Sequence, residues 1–131
     1  MEERRKIQVV AAIIIENGKL YTTQRGYGEF KDGWEFPGGK MEMGETKEEA
    51  LTRELREELE LKVEVGKLVK TIEYDYPKFH LTMHCLLTKI KEGKPNLLEH
   101  EDARWVTKNE IDSVNWLPAD LEVIEEVKKL M

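Results

Sequence analysis

Residues 38–61 read GGKMEMGETKEEALTRELREELEL, and eight of these 24 residues are glutamate. Thr46 followed by Glu49 is a capping-box pattern, which predicts a helix that begins at about Thr46. The apolar residues that follow recur at helical spacing and form one stripe for burial against a sheet: Ala50, Leu51, Leu55 and Leu59. The stretch therefore predicts an amphipathic helix with an unusually acidic surface.

Three glutamates of this helix share one face. Side chains three and four residues apart project together, so Glu54, Glu57 and Glu58 fall within an arc of about 100°. Like charges at this spacing repel by about 0.2–0.5 kcal/mol, and Arg53, one turn before Glu57, offsets part of that repulsion. The helix alone leaves two interpretations open: a solvated surface, or a site for a hard cation such as Mg²⁺, which prefers oxygen ligands.

The composition indicates one domain that spans residues 1–131, with 40% hydrophobic and 37% charged residues. The net charge of −6 argues against binding to a nucleic-acid polymer, although a bound divalent cation would still admit a small phosphorylated ligand. The single cysteine, Cys85, excludes an internal disulfide and fits a reducing compartment. The apolar run at residues 7–15 is too short for a membrane span. We therefore expect a cytoplasmic protein with no membrane partner.

The rest of the chain predicts a mixed α/β domain. Runs of β-branched or alternating residues predict strands at residues 7–15, 19–24, 63–76, 80–90 and 104–106. Asn17-Gly18 predicts a two-residue hairpin between the first two strands. Loops are expected at the glycine-rich residues 26–33 and at the acidic residues 97–102. A short helix near residues 109–114 and a last helix over residues 119–130, with Leu121 on its apolar stripe, complete the prediction.

The spacing of residues from Gly39 onward is specific. It follows G-x5-E-x7-R-E-U-x-E-E-x-G-U, where U is a bulky aliphatic residue. The matching residues are Gly39, Glu45, Arg53, Glu54, Leu55, Glu57, Glu58 and Leu61. The pattern fails only at Glu60, where glycine would permit a left-handed helix cap; a glutamate there either strains the cap or lengthens the helix. This closely resembles the Nudix box, the signature of Nudix hydrolases.

Further segments resemble the MutT-type branch of that family: WEFPGGK at residues 34–40, YDYPKFHLT at 74–82 and LPADLEVIEEVKKL at 117–130. The resemblance implies the Nudix fold, an α/β/α sandwich with a central mixed β-sheet. It also implies Mg²⁺- or Mn²⁺-dependent hydrolysis of nucleoside diphosphates that are linked to a further group. A nucleoside triphosphate is then the expected substrate, and a monomer and a homodimer both remain open.

The resemblance also assigns roles within the box. Its metal ligands would be the side chains of Glu54, Glu57 and Glu58, the backbone carbonyl of Gly38 and, outside the box, Glu99, six residues before Trp105. Arg53 and Glu45 would form an orienting pair, and Gly39 would have a structural role beside them. The general base would be Glu57 or Glu58, with Glu54 and Glu99 as alternatives, because ligand and base are both carboxylates on one face.

Residues outside the acidic helix are candidates for binding the substrate. Arg25 forms either a surface ion pair or a phosphate contact, and Phe36 packs in the core or stacks on a base. The resemblance assigns Gly39 and Lys40 to the neighbourhood of the phosphates.

Asp120 has two interpretations as well. It is an ordinary first-turn residue of a helix, stabilised by the helix dipole, or it matches the base-reading segment of the MutT branch, which often carries asparagine. An ionised aspartate only accepts hydrogen bonds, so it suits the paired N–H donors on the Watson–Crick edge of guanine. It would also take the N4 amino group of cytosine, but N3 of cytosine would then need a donor.

The predicted function is a MutT-type pyrophosphohydrolase that converts a nucleoside triphosphate into a monophosphate and diphosphate. The implied role is removal of damaged nucleotides such as 8-oxo-dGTP from the nucleotide pool. A CTP or 5-methyl-dCTP pyrophosphohydrolase is the alternative within the class. Two alternatives lie outside the enzyme class: a sensor that binds a nucleotide without hydrolysing it, and a structural domain with an acidic helix. All four glutamates of the box are present, which favours the enzyme.

Overall fold

A computed structural model describes residues 5–26, 28, 30–95 and 100–131 of the chain. Its strands are β1 (Arg5–Glu16), β2 (Lys19–Arg25), β3 (Trp34–Glu35), β4 (Gly38–Lys40), β5 (Lys62–Tyr76), β6 (Phe79–Glu92) and β7 (His100–Thr107). Its helices are α1 (Lys47–Leu59), α2 (Pro118–Leu121) and α3 (Ile124–Leu130), with one 3₁₀ turn at Ile111–Ser113. None of the helices in this part of the chain is long and apolar enough to cross a membrane.

The sheet is built around β1, which lies in its middle. β1 runs parallel to β6 over residues 5–14 and antiparallel to β4 at residues 9–11. At its end β1 joins β2 through Asn17 and Gly18, whose φ angles of 52° and 74° form the predicted two-residue hairpin. β5 pairs with β6, and β3 and β7 pair with β2. Parallel and antiparallel pairs therefore coexist, and the sheet is mixed.

Alternate side chains of β1 pack into two hydrophobic cores, one on each face of the sheet. The α3-side core contains Ala11 and Ile13 with Val123, Ile124 and Val127 of the C-terminal segment. The α1-side core contains Val10, Ala12 and Ile14 with Ala50, Leu51, Leu55 and Leu59, the apolar stripe predicted for α1. Helices cover both faces of one mixed sheet, so the predicted α/β/α sandwich is confirmed.

The ends of α1 follow from its sequence. The Thr46 side chain accepts from the N–H of Glu49 at 3.1 Å, and the Glu49 carboxylate accepts from the N–H of Thr46 at 2.9 Å, which completes the predicted capping box. At the other end Glu60 adopts φ 56° and ψ 36°, and its N–H donates to the carbonyls of Arg56 and Leu55. The helix therefore stops at a left-handed cap instead of lengthening. A residue other than glycine in that conformation costs about 1–2 kcal/mol.

The prediction of a single last helix over residues 119–130 is wrong, because the structure has two short helices, α2 and α3, in this part of the chain. The chain turns at Glu122 and Val123 between α2 and α3. The carbonyl of Glu122 accepts from Nζ of Lys70 at 3.3 Å, and Val123 is fully buried in the α3-side core. Leu121, predicted on the apolar stripe, is instead 59% exposed. Val123, and not Leu121, therefore packs in the core at this point of the chain.

The prediction of an acidic loop at residues 97–102 is wrong for residues 100–102. Residues 97–99 lie outside the described residues, whereas residues 100–102 belong to β7. β7 pairs with the whole length of β2, with a register shift at Gln24 and Arg25. Backbone pairing with β2 thus overrides the low strand propensity of an acidic segment.

Candidate active site

An open cavity of about 520 Å³ lies beside the carboxylate face of α1. Part of its wall comes from the stretch at residues 38–61, with Gly38, Gly39, Lys40, Glu54 and Glu58. Another part is apolar and includes Ile7, Val9, Phe79, Leu81 and Met83. Three further residues with ionisable side chains also line the cavity: Arg25, Glu35 and Asp120. The cavity therefore suits a ligand that has both a charged part and an apolar part.

Arg53 organises the charged groups of α1. Its Nε and Nη2 donate to the two carboxylate oxygens of Glu45 at 2.7 and 2.9 Å, which makes the pair bidentate. Its Nη1 donates to Glu54 at 2.7 Å and to Glu57 at 3.2 Å. Its Nη2 also donates to the backbone carbonyl of Lys40 at 3.0 Å. One guanidinium thus ties the carboxylate face of α1 to the last residue of β4 and to Glu45 in the segment that follows β4.

The ion pair with Arg53 makes Glu45 a stronger acid. Hydrogen bonds from Arg53 and from the N–H of Glu42 lower the pKa of Glu45 from 4.5 to about 2. A carboxyl group whose pKa is lower in the folded chain stabilises the fold above its unfolded pKa. That contribution is lost as the pH falls through the folded pKa.

We therefore expect E45Q to be less stable than the parent protein at pH 7, because glutamine forms no ion pair with Arg53. The difference should shrink as the pH falls from 4.5 to about 2, as Glu45 of the parent takes up its proton. Urea unfolding of both proteins across this pH range measures the effect. An equal difference at neutral and acidic pH would show that Glu45 acts by packing and not by charge.

Gly38 and Gly39 leave space that other groups occupy. A Cβ added to Gly39 would lie 2.3 Å from Oε2 of Glu54, so the carboxylate packs where a side chain would otherwise stand. A Cβ added to Gly38 would lie 1.9 Å from the carbonyl oxygen of Val10. Gly39 therefore leaves room for the Glu54 carboxylate, and Gly38 lets β4 approach β1 closely.

The structure brings some of the predicted metal ligands together. Gly38, Glu54 and Glu58 line the cavity. Glu57 lies on the same helix face, but its side chain is 56% exposed and bonds to Arg53. Glu99 lies outside the described residues.

These groups fit a hard divalent cation by their chemistry, because all their donor atoms are oxygens and Oε2 of Glu58 is buried. In the part of the chain that the structure describes, no three acidic, histidine or cysteine side chains form a ready cluster for an ion. Mg²⁺ is usually bound by one or two carboxylates together with the phosphates of its substrate, so a complete protein cage is not required.

Arg25 and Glu35 form a second ion pair in the cavity wall. Nε and Nη2 of Arg25 donate to the two oxygens of Glu35 at 3.2 and 2.7 Å. The sequence had singled out Arg25 but missed Glu35. Pairing of β2 with β3 brings the two together, and that pairing depends on how the chain returns after residues 26–33. The opposite charges of Arg25 and Glu35, on either side of the glycine-rich residues 26–33, were the sequence signal that could have predicted this ion pair.

Phe36 and Asp120 are linked to each other. The N–H of Phe36 donates to Oδ2 of Asp120 at 2.9 Å. The Phe36 ring is 3% exposed and packs 4.9 Å from the ring of Trp116, so it belongs to the α3-side core as well as to the cavity wall. Asp120 is 5% exposed, and burial together with the nearby charge of Glu35 raises the pKa of Asp120 to about 8. The raised pKa favours the neutral form of Asp120 over the ionised acceptor that the sequence analysis considered.

The geometry can be compared with known proteins. The NUDIX domain matches residues 5–127, nearly the whole chain. The chain belongs to the NUDIX family. It is a NUDIX hydrolase, and NUDIX hydrolases generally need a divalent metal, which agrees with the oxygen donors beside the cavity.

Several relatives of this NUDIX hydrolase are named. It is 34% identical over 128 residues to the 8-oxo-dGTP diphosphatase of Escherichia coli strain K12, covering 96% of this chain and 99% of the relative. It is 35% identical over 120 residues to the CTP pyrophosphohydrolase of the same strain, covering 91% and 89%. The solution structure of the E. coli ORF135 protein superposes with a TM-score of 0.83 at 33% identity, covering 97% and 91%.

Proposed function

We propose that this NUDIX hydrolase is a Mg²⁺-dependent nucleoside triphosphate pyrophosphohydrolase of the MutT type, which removes damaged or unwanted nucleotides from the nucleotide pool. One observation carries the proposal: Glu54 and Glu58 of the box share one cavity with an apolar wall and the buried carboxyl of Asp120. The carboxylates suit the metal-bound polyphosphate, and the apolar wall suits the base. The names of the relatives, 8-oxo-dGTP diphosphatase and CTP pyrophosphohydrolase, support this substrate class.

The residues that would hold Mg²⁺ are the backbone carbonyl of Gly38 and the side chains of Glu54, Glu57 and Glu58, with Glu99 as a further carboxylate. When bound, Mg²⁺ would neutralise phosphate charge and increase the acidity of water in the site. Arg53 would hold Glu54 in place for this task, since the two are joined at 2.7 Å. Mn²⁺ has the same preference for carboxylate oxygens and should substitute.

We assign the general base to Glu58. Glu58 lines the cavity, whereas the Glu57 side chain is 56% exposed. Glu54 also lines the cavity, where its 2.7 Å bond to Arg53 suits a fixed metal ligand. The carboxylate would take one proton from water while the water oxygen bonds to the β-phosphorus. The bond from that phosphorus to the bridging oxygen on the α-phosphate then breaks, which releases the nucleoside monophosphate and diphosphate.

The phosphates need a positive partner from the protein, and Lys40 is the best placed. It is exposed, lines the cavity and lies next to Gly39. Arg25 is bonded to Glu35 by two nitrogens, which favours a role at the base over a role at the phosphates. Phe36 would form part of the cavity wall that contacts the base.

Turnover of a nucleotide panel with Mg²⁺ tests the function. The panel contains 8-oxo-dGTP, dGTP, CTP, dCTP, 5-methyl-dCTP and a nucleotide sugar, and chromatography separates the products. We expect a monophosphate and diphosphate from at least one triphosphate, and the ranking of kcat/KM then identifies the base. Binding of a nucleotide without hydrolysis of any would favour the sensor, and neither binding nor hydrolysis would favour the structural domain.

A further inference from the structure

The first turn of α2 lies in the cavity wall, and its backbone needs a partner from outside the helix. Leu117 and Asp120 line the cavity, one on each side of Pro118 and Ala119. The first N–H groups of a helix have no acceptor within the helix. Pro118 has no N–H, and Leu117, the N-cap residue, has no side-chain oxygen to accept from Ala119. Ala119 is fully buried, so its N–H requires an acceptor from elsewhere in the fold.

That acceptor is Tyr76, 43 residues earlier in the chain. The N–H of Ala119 donates to the Tyr76 hydroxyl oxygen at 3.2 Å. Tyr76 is the last residue of β5, is 6% exposed and lines the cavity. Burial raises the pKa of the Tyr76 hydroxyl, so it stays uncharged at neutral pH. Without this oxygen the N–H of Ala119 would find a new partner only if α2 moved toward water.

Neighbouring aromatic rings fix the position of the Tyr76 hydroxyl. The Tyr76 ring stacks on Phe79 of β6 with the centroids 4.9 Å apart. It also lies 4.7 Å from the ring of Tyr74 on β5 and 5.0 Å from the ring of Phe30, in the segment between β2 and β3. A tyrosine side chain has only two rotatable angles, so a ring held on several sides keeps its oxygen in one place.

We propose that the Tyr76 hydroxyl is a positioning group for the base: it holds α2 against the end of β5 and so keeps the Leu117 and Asp120 side chains at a fixed distance from the rest of the cavity wall. This inference rests on the function proposed above and identifies a residue that sets the selectivity of that site. The mechanism above gives Tyr76 no role. A fixed wall favours the base whose shape matches it, whereas a wall that moves admits several bases.

The size of the effect follows from the strength of one hydrogen bond. Only molecules in which α2 is held against β5 offer the complete cavity wall. The fraction of molecules in that arrangement limits the apparent affinity, and one hydrogen bond shifts such an equilibrium by about 2–10-fold.

Y76F tests the inference, because it removes the hydroxyl and keeps the ring among its aromatic neighbours. Calorimetry measures binding of 8-oxo-dGMP and of dCMP, each without divalent metal. The monophosphate that binds the parent more tightly should lose about 2–10-fold in affinity in Y76F. The other should lose less, because it gains less from the fixed wall, and the ratio of the two dissociation constants then moves toward one. Y74F is the matched control: Tyr74 lies two residues earlier on β5 and outside the cavity wall, so Y74F should bind both as the parent does.

A purely structural role for the hydroxyl would lower the thermal stability of Y76F and leave the ratio of the dissociation constants unchanged, so an unchanged ratio overturns the inference. Equal losses in Y76F and Y74F would overturn it as well, and so would a parent protein that binds neither monophosphate. If Y76F does not fold, amide hydrogen exchange in the parent decides. The tighter monophosphate should slow exchange of the Ala119 N–H, and an unchanged exchange rate overturns the inference.

Turnover separates failure of this inference from failure of the proposed function. In Y76F the KM of the preferred triphosphate should rise while kcat is kept, since the carboxylates of α1 are unchanged. A parent protein that hydrolyses triphosphates, with a Y76F variant that keeps the parent's ratio, retains the function and loses the inference. A parent protein that hydrolyses nothing, with the expected change of ratio in Y76F, retains the inference and is a sensor.

Discussion

The double substitution E57Q/E58Q is expected to lower kcat by about 10²–10⁴-fold, the range that a general base contributes, while the protein stays folded. Glutamine has nearly the size of glutamate and can still accept a hydrogen bond from Arg53 at position 57. It carries no charge for a cation and accepts no proton from water. The two side chains lie at the surface or at the edge of the cavity, so their exchange leaves both hydrophobic cores intact.

Steady-state turnover and thermal unfolding measure this prediction together. E64Q is the matched control, since Glu64 is an exposed glutamate on β5 and should be exchanged without loss of turnover. E58Q alone should account for most of the loss if Glu58 is the base, whereas E57Q alone should mainly raise the Mg²⁺ concentration required. Full activity in a folded double variant would refute the assignment of the site.

The second large effect is expected for G39A. A Cβ at this position would stand 2.3 Å from one oxygen of the Glu54 carboxylate and 2.5 Å from its carbon, so the carboxylate must move. Because it is the end of a flexible side chain, the fold should survive. The displacement also breaks the 2.7 Å contact between Glu54 and Arg53. Disturbance of the groups that orient a metal ligand typically costs about 10–100-fold in metal affinity or activity, and we expect a loss of this size.

The dependence of turnover on Mg²⁺ concentration distinguishes this cause from general damage. G39A should need more Mg²⁺ for half-maximal turnover, and excess Mg²⁺ should restore part of the activity. G18A is the control: Gly18 has φ 74° with open space around it, so alanine there strains a distant hairpin without touching the site. An unchanged Mg²⁺ requirement in G39A would mean that Glu54 does not bind the metal.

Local sequence signals predicted the elements whose cause is local. The capping box fixed the start of α1 at Thr46, and Asn17-Gly18 fixed the first hairpin, because in both cases the residues that hydrogen-bond or turn are neighbours in the chain. The resemblance to the Nudix box also implied the pair of Arg53 with Glu45, which lies just before α1 and eight residues earlier in the chain.

Features that depend on distant contacts were missed. Glu35 meets Arg25 only because β2 pairs with β3. The pKa of Asp120 is raised because the fold buries its carboxyl group beside Phe36, 84 residues away in the chain. The break between α2 and α3 has the same origin, since Val123 is drawn into a core assembled from other strands. Periodicity within a segment carries no information about such partners.

The two cores separated by the sheet have unequal consequences for evolution. Phe36, Leu81 and Met83 belong both to the α3-side core and to the wall of the cavity, so a mutation that reshapes the site for a new base also alters packing on that face. Leu51, Leu55 and Leu59 of the α1-side core lie outside that wall. Changes in substrate preference will therefore tend to lower stability, and compensating mutations can accumulate on the opposite face of the sheet without altering which nucleotide is chosen.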